Sequence, residues 1–271
     1  MSANFNLDYL NSLKLVMPHS GKINLVLVGC GGTGSWLAPA VARVAKLLID
    51  KLNREIRIFF VDPDKIEEKN IYRQNFCQAE IGRNKAVSLA ERFGLAWGMD
   101  IMALAKPFED CNVIGGQAVV IGCVDNSMAR QSIKAFYDHS SSNVWWLDCG
   151  NEKNSGQVLL GYQDKSAKDI YKLTGYCQWL PSPALQHPEL LTAEVKKQSE
   201  NLSCADMVLR DSQGMAINQR VAAEAADYLV RMLITQDLHK FATYFDLMSG
   251  SARSEYITQE RIDHFRSIKA N

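Results

Sequence analysis

Between an apolar run of strand length, Ile23–Val28, and a helix-length segment, 35–49, stand six residues: Gly29-Cys30-Gly31-Gly32-Thr33-Gly34. A glycine turn leaving a strand and opening a helix lets the backbone approach a phosphate, and the helix start adds N–H groups and positive partial charge. Four glycines in six positions cost chain entropy and add no packing, so a tight turn without a ligand is a poor explanation for them. Within 35–49, Leu37, Val41, Val44 and Leu48 recur at the spacing of a helix laid on a sheet. The loop therefore predicts a nucleotide site. It does not choose the nucleotide, because the same six residues satisfy the GxGxxG fingerprint of NAD-dependent enzymes.

Further strand-length apolar runs, Ile56–Val61, 101–105, Ala118–Gly122 and 144–147, alternate with helix-length segments such as 85–93 and Ser127–His139. That alternation predicts an α/β fold: a Rossmann-like, mostly parallel sheet flanked by helices. After Gly156 a short run, 158–162, leads into a polar, proline-bearing stretch, about 163–203, expected to be a crossover loop or flap. Helical spacing resumes at Ile217, Val221, Ala225, Tyr228, Leu229 and Met232. Segments 241–248 and 254–258 flank Ser249-Gly250 as a C-terminal antiparallel hairpin. The organisation expected is one domain over 1–271, with a nucleotide-binding part at about 20–150, the flap at 163–203, and a C-terminal helix and hairpin at 204–271.

The second strand ends in Asp62-Pro63-Asp64, where an acid can accept hydrogen bonds from ribose hydroxyls of either NAD or ATP. The residues after it discriminate between them: Asn70, then Arg73-Gln74, then Gly82-Arg83-Asn84-Lys85-Ala86, and later Cys123-Val124-Asp125-Asn126 with Arg130. A dehydrogenase has no use for Asn, Arg and Lys at the phosphate end of its cofactor. The ordered set D-x-D, N-x-x-R-Q, G-x-x-K-A and Asp-Asn resembles the adenylation site of the ThiF, MoeB and ubiquitin-activating family. The likeness covers roughly residues 23–150, and in detail is most similar to ThiF-like proteins of PRTRC gene clusters on bacterial mobile elements.

That resemblance implies ATP-dependent adenylation of the C-terminal carboxylate of a ubiquitin-like or sulfur-carrier protein. Gly29, Gly31, Gly32 and Gly34 would cradle the nucleotide with Asp62, Asp64, Asn70, Arg73, Gln74 and Lys85. Asp62 would hold ribose, Asn70 and Arg73 would contact phosphates, Lys85 would stabilise charge at the α-phosphate, and Asp125 would position Mg²⁺. Cys204, after the flap and before the 218–232 helical segment, lies where relatives carry a reactive cysteine. If Ser203 caps a helix there, its positive end favours thiolate and a thioester. The bland readings are solvated surface cations at Arg73 and Lys85, a helix cap at Asp125, and an inert buried thiol at Cys204.

Two family features are missing from the sequence. No arginine precedes Arg43, although dimeric relatives lend one in trans; Lys14, His19 or Lys22 would have to replace it. No CxxC pair accompanies the lone Cys177, so no structural zinc is expected. A homodimer remains the family expectation.

Thirty basic residues balance thirty acidic ones, which gives no field to draw the chain to nucleic acid or to an anionic membrane. This weighs against a relative that activates a carboxylate on tRNA. The uncharged run 23–42 is long enough for a bilayer, but four glycines, Asn24 and Pro39 argue against a span. The amino terminus lacks the pattern of a secretory signal, and seven irregularly spaced cysteines fit reduced thiols in a cytoplasm.

Overall fold

The computed structural model describes residues 7–17, 21–164, 167, 169–192 and 204–270, without the side chains of 204–215 and 270. Strand β1 (Lys14–Leu15) pairs with the later β8 (Tyr176–Cys177) in a small parallel ladder. The main sheet contains β2 (Ile23–Val28), β3 (Ile56–Val61), β4 (Ile101–Leu104), β5 (Ala118–Gly122), β6 (Val144–Asn151), β7 (Ser155–Gln163), β9 (Trp179–Leu180), β10 (Lys240–Asp246) and β11 (Ser251–Tyr256). Its order is β11-β10-β7-β6-β5-β2-β3-β4, with β9 added to β7. The strands from β4 to β6 are parallel, whereas β7, β9, β10 and β11 join antiparallel. This is the mostly parallel sheet with a C-terminal hairpin that the strand pattern predicts.

Helices cover both faces because β2 and β5 are buried along their whole length. On one face lie α1 (Gly32–Asp50), α2 (Lys85–Trp97) and α5 (Cys204–Val230), which contribute Leu37, Val41, Leu89, Val221 and Leu229 to the larger core. On the other lie α3 (Ser127–His139) and the short α4 (Pro183–Gln186), packed on Val26, Val120 and Trp146. A last helix, α6 (Gln259–Ala270), comes after the hairpin and buries Ile262 and Phe265. Among the described residues no helix is long and apolar enough to cross a membrane, since the run 23–42 divides into β2 and α1.

Sequence-level signals set the boundaries. Asn84 caps α2, its side chain accepting from Val87 N at 3.0 Å, and Gly98 ends it at φ +59°. Asn126 caps α3 through Ala129 N at 2.9 Å. The stretch expected as a flap is partly built into the domain: Cys177 and Leu180 are buried, and β9 pairs with Tyr162 and Gln163. Residues 193–203 lie outside the described residues.

Candidate active site

In the parallel half of the sheet, the chain turns from β2 towards β3 on one side and β5 on the other, which is the switch point where open α/β sheets form a crevice. Val28, Val61 and Gly122 are aligned in register, so Gly29, Asp62 and Cys123 leave the strand ends side by side. Gly29 sits at φ +85°, and a Cβ there would lie 2.6 Å from Cys123 O. A Cβ on Gly34 would lie 1.8 Å from Gly29 O, and one on Gly32 would lie 2.7 Å from the Asn218 amide. Gly31 differs: its Cβ would meet only Gln74 Nε2, at an ordinary 3.7 Å. Three glycines thus answer steric demands from their own chain, whereas a side chain at Gly31 would meet only an ordinary contact. Helix α1 starts there with no side-chain cap, so its first N–H groups face the crevice uncapped.

Asp62 is buried, and its carboxylate holds the loop in place. Oδ2 accepts from Cys30 N at 2.6 Å and Oδ1 from Asp64 N at 2.8 Å. Burial pushes this carboxyl up, against the opposing pull of Lys85 and the two backbone N–H groups. Cys30 beneath it is fully buried, and burial together with the Asp62 charge raises its thiol well above the usual range. Asp64, by contrast, has an exposed carboxylate, and Lys85 donates to its Oδ2 at 2.9 Å. Asn84 ties this corner together, donating to Asp62 O and Asp64 O at 2.8 and 2.9 Å. The cap that starts α2 therefore also sets Lys85 against the end of β3.

The Asn70–Asn75 turn is fastened to α1 through an irregularity in that helix. Pro39 has no N–H, so the carbonyl of Ser35 lacks its helical donor. Asn75 Nδ2 supplies one at 3.2 Å, while Asn75 N donates to Ser35 Oγ at 2.9 Å. Asn70 is buried; its Oδ1 accepts from Glu67 N at 2.9 Å and its carbonyl from Gln74 N at 2.8 Å. Arg92 anchors the far side, donating to Asn75 O at 2.8 Å and to both oxygens of Glu80. Arg73 is carried on this frame, its carbonyl accepting from Trp36 Nε1 at 3.2 Å. Gln74 is buried beside Gly31, and its Oε1 has no hydrogen-bond partner among the described residues.

Asp125 is exposed just past β5, and the capping of α3 falls to Asn126. Its carboxylate is therefore not engaged as a helix cap. Arg130, one turn into α3, donates to the fully buried Asp148 on β6 at 3.2 Å, and burial raises that carboxyl despite the guanidinium. Cys204 is the first residue of α5, but its side chain and Ser203 lie outside the described residues. Cys177 is buried with its thiol pushed up to about 11, chiefly by burial, and donates to Trp179 O. Of the proposed substitutes for a trans arginine, Lys22 is paired with Glu55 at the far end of β2, Lys14 lies in β1, and His19 is outside the described residues.

One residue of this frame has no counterpart in the sequence motifs. Asn218 on α5 is buried; its Oδ1 accepts from Asn151 Nδ2 at 2.9 Å and Thr33 Oγ1 at 3.3 Å, and its Nδ2 donates to Arg73 O at 3.4 Å. The close fit against Gly32 is the one local trace of it.

A parallel sheet with an uncapped glycine turn at its switch point and basic residues on two flanking segments defines a Rossmann-like nucleotide-binding protein. The family can be stated more closely. The chain belongs to the ThiF family, whose model matches residues 19–251. Among solved structures it is similar to MccB from E. coli in complex with ATP, with a TM-score of 0.58 and 14% identity over 93% of this chain and 65% of that one. The complex of MccB with AMPCPP and MccA gives 0.57, 15%, 93% and 65% in the same order. PaaA gives a TM-score of 0.55 and 17% identity over 88% of this chain and 73% of PaaA. The chain thus spans about two thirds of the length of MccB, and these likenesses concern the fold. No curated protein sequence matches it.

Proposed function

We propose that this chain uses ATP to adenylate the C-terminal carboxylate of a small ubiquitin-like or sulfur-carrier protein. The observation that carries the reading is the uncapped start of α1 at the glycine turn, with Lys85 at the start of α2 held against Asp64 and the Arg73 turn fastened to α1. MccB has been solved with ATP and with AMPCPP together with MccA, which supports ATP as the nucleotide and a small protein or peptide as the second reactant.

A carboxylate oxygen of the carrier bonds to the α-phosphorus as the bond to the bridging oxygen of the β-phosphate breaks and pyrophosphate leaves; two anions are brought together, so the work required is charge neutralisation and alignment. The attacking carboxylate is already ionised at neutral pH, and no side chain has to remove a proton. Asp62 and Asp64 take the ribose end, Asp62 by holding the loop and Asp64 with its exposed carboxylate. Gly31 and the first N–H groups of α1 receive the phosphates, with Asn70, Arg73 and Gln74 along one wall. Lys85 leaves Asp64 to meet the charge that builds up at the α-phosphate. Asp125, exposed and not used as a cap, suits Mg²⁺, which binds through few protein carboxylates and keeps water and phosphate oxygens as its other ligands. The metal, when bound, supplies positive charge to the triphosphate.

In a second step Cys204 takes the acyl group: its thiolate sulfur bonds to the carbonyl carbon, the acyl–phosphate bond breaks, and AMP leaves. The reading includes action as a homodimer in a reducing cytoplasm. ATP–pyrophosphate exchange with small carriers ending in glycine tests it. Exchange that depends on one such carrier is the expected result; tight NAD binding with no exchange from any carrier would overturn it.

A further inference from the structure

We propose that Asn218 is a positioning residue that fixes Arg73 relative to the glycine loop. The proposal deepens the adenylation reading and rests on its assignment of Arg73 to the phosphates.

Three parts of the site meet at this one amide. Thr33 belongs to the first turn of α1, Asn151 ends β6, and Arg73 lies on the turn after β3; each bonds to the Asn218 side chain, at 3.3, 2.9 and 3.4 Å. The amide supplies two acceptor contacts and one donor contact at the same time, which neither aspartate nor leucine can reproduce. It is only 4% exposed, so water does not replace a lost partner and each bond counts for more than at the surface. There is no slack in the fit, since a Cβ on Gly32 would reach both polar atoms of the amide at 2.7 and 2.8 Å. Gly32 is therefore glycine to admit Asn218. Asn218 touches the carbonyl of Arg73, and so acts on the direction from which that guanidinium leaves the backbone. None of its three bonds involves Lys85 or Asp64, which pair with each other.

ATP titration by calorimetry, without any carrier, tests this through two double-mutant cycles. Arg73→Ala is expected to weaken ATP about 10- to 100-fold, the loss of a charge-assisted hydrogen bond, and Asn218→Ala about 10-fold or more through misplacement of the same group. The Arg73→Ala, Asn218→Ala double variant should bind ATP no more weakly than Arg73→Ala alone. In the parallel cycle with Lys85→Ala, the two losses should multiply, because Asn218 does not position Lys85. A general loosening of the fold would couple to Arg73 and Lys85 alike, and equal behaviour in the two cycles would overturn the proposal. Full ATP affinity in Arg73→Ala would overturn it as well. Where Asn218→Ala does not fold, Asn151→Ala removes one of the three bonds from the sheet side, and its smaller loss should likewise vanish in the Arg73→Ala background. A chain that passes these cycles but performs no pyrophosphate exchange keeps the positioning role and loses the adenylation reading.

Discussion

Lys85 Nζ lies 2.9 Å from Asp64 Oδ2, and the two partners differ sharply in burial: the lysine side chain is 10% exposed and the aspartate 65%. A carboxylate so open to water holds its partner by only about 0–1 kcal/mol. The lysine is thus aimed by its helix and its stem while its charge stays transferable to a stronger anion.

Substitution should separate those two roles. Lys85→Ala or Arg73→Ala is expected to lose about 2.7–4 kcal/mol of transition-state stabilisation, by analogy with removing one oxyanion donor. Asp64→Asn should change folding stability by no more than about 0.5 kcal/mol. Pyrophosphate exchange with the correct carrier and a urea titration measure the two effects. Near wild-type exchange in Lys85→Ala would remove that residue from the site.

The glycines of the loop should fail for different reasons. Gly34→Ala drives a methyl into the Gly29 carbonyl, and an overpacked core site costs roughly 1–3 kcal/mol, so its thermal midpoint should drop. Gly31→Ala meets nothing closer than 3.7 Å, and its midpoint without ligand should stay near that of the parent. The upward shift on adding ATP should be lost in Gly31→Ala. A preserved shift would mean that the cradle is not where the nucleotide lies.

Acid should loosen the frame behind Arg73. Burial pulls the Glu80 carboxyl up, but the Arg92 guanidinium and the Cys77 N–H more than offset it, so the group lies below its ordinary value. A depressed carboxyl stabilises the fold above its unfolded value, ~4.3, and that contribution disappears as pH falls through the lower folded value. Glu80→Gln should therefore be less stable than the parent by about 1–3 kcal/mol at pH 7, with the gap closing in acid below the carboxylate range. Denaturant midpoints across that span decide the matter; a gap independent of pH would assign the effect to shape and not charge.

Cys204→Ser should retain pyrophosphate exchange and lose any carrier adduct that a thiol reductant releases. An adduct persisting in this variant, seen on a non-reducing gel, would place the acceptor elsewhere.

Local pattern carried much of this architecture. The strand runs and the Ser249-Gly250 hairpin depend on neighbours within a few residues and lie where periodicity and turn chemistry put them, whereas α1 begins at Gly32, three residues before the expected start, and α3 is capped by Asn126 and not by Asp125. The candidate site residues after β3 and β5 were singled out by their ordered resemblance to a family motif, and the fold brings Asp62, Asp64 and Lys85 together at one corner. Asp62 reads in sequence as a ribose acid, but which hydrogen bonds fill its oxygens depends on a loop 32 residues away. Asn218 was not legible at all. It lies 185 residues from Thr33 and sits in an unremarkable helical stretch, so only the folded packing of α5 against α1 reveals it. The stretch 163–203 reads as a flap because prolines and charges hide two-residue strands too short to show a period.

Pro39 bears on how this protein could be changed. By withholding one N–H, it leaves a vacant acceptor in α1 that Asn75 occupies, and so a flaw in one helix becomes the address for the segment carrying Arg73. A designer hunting for stability would remove that proline first. The repaired helix would claim the Ser35 carbonyl for itself and release the turn beside it, trading a better-formed element for a less well-formed site.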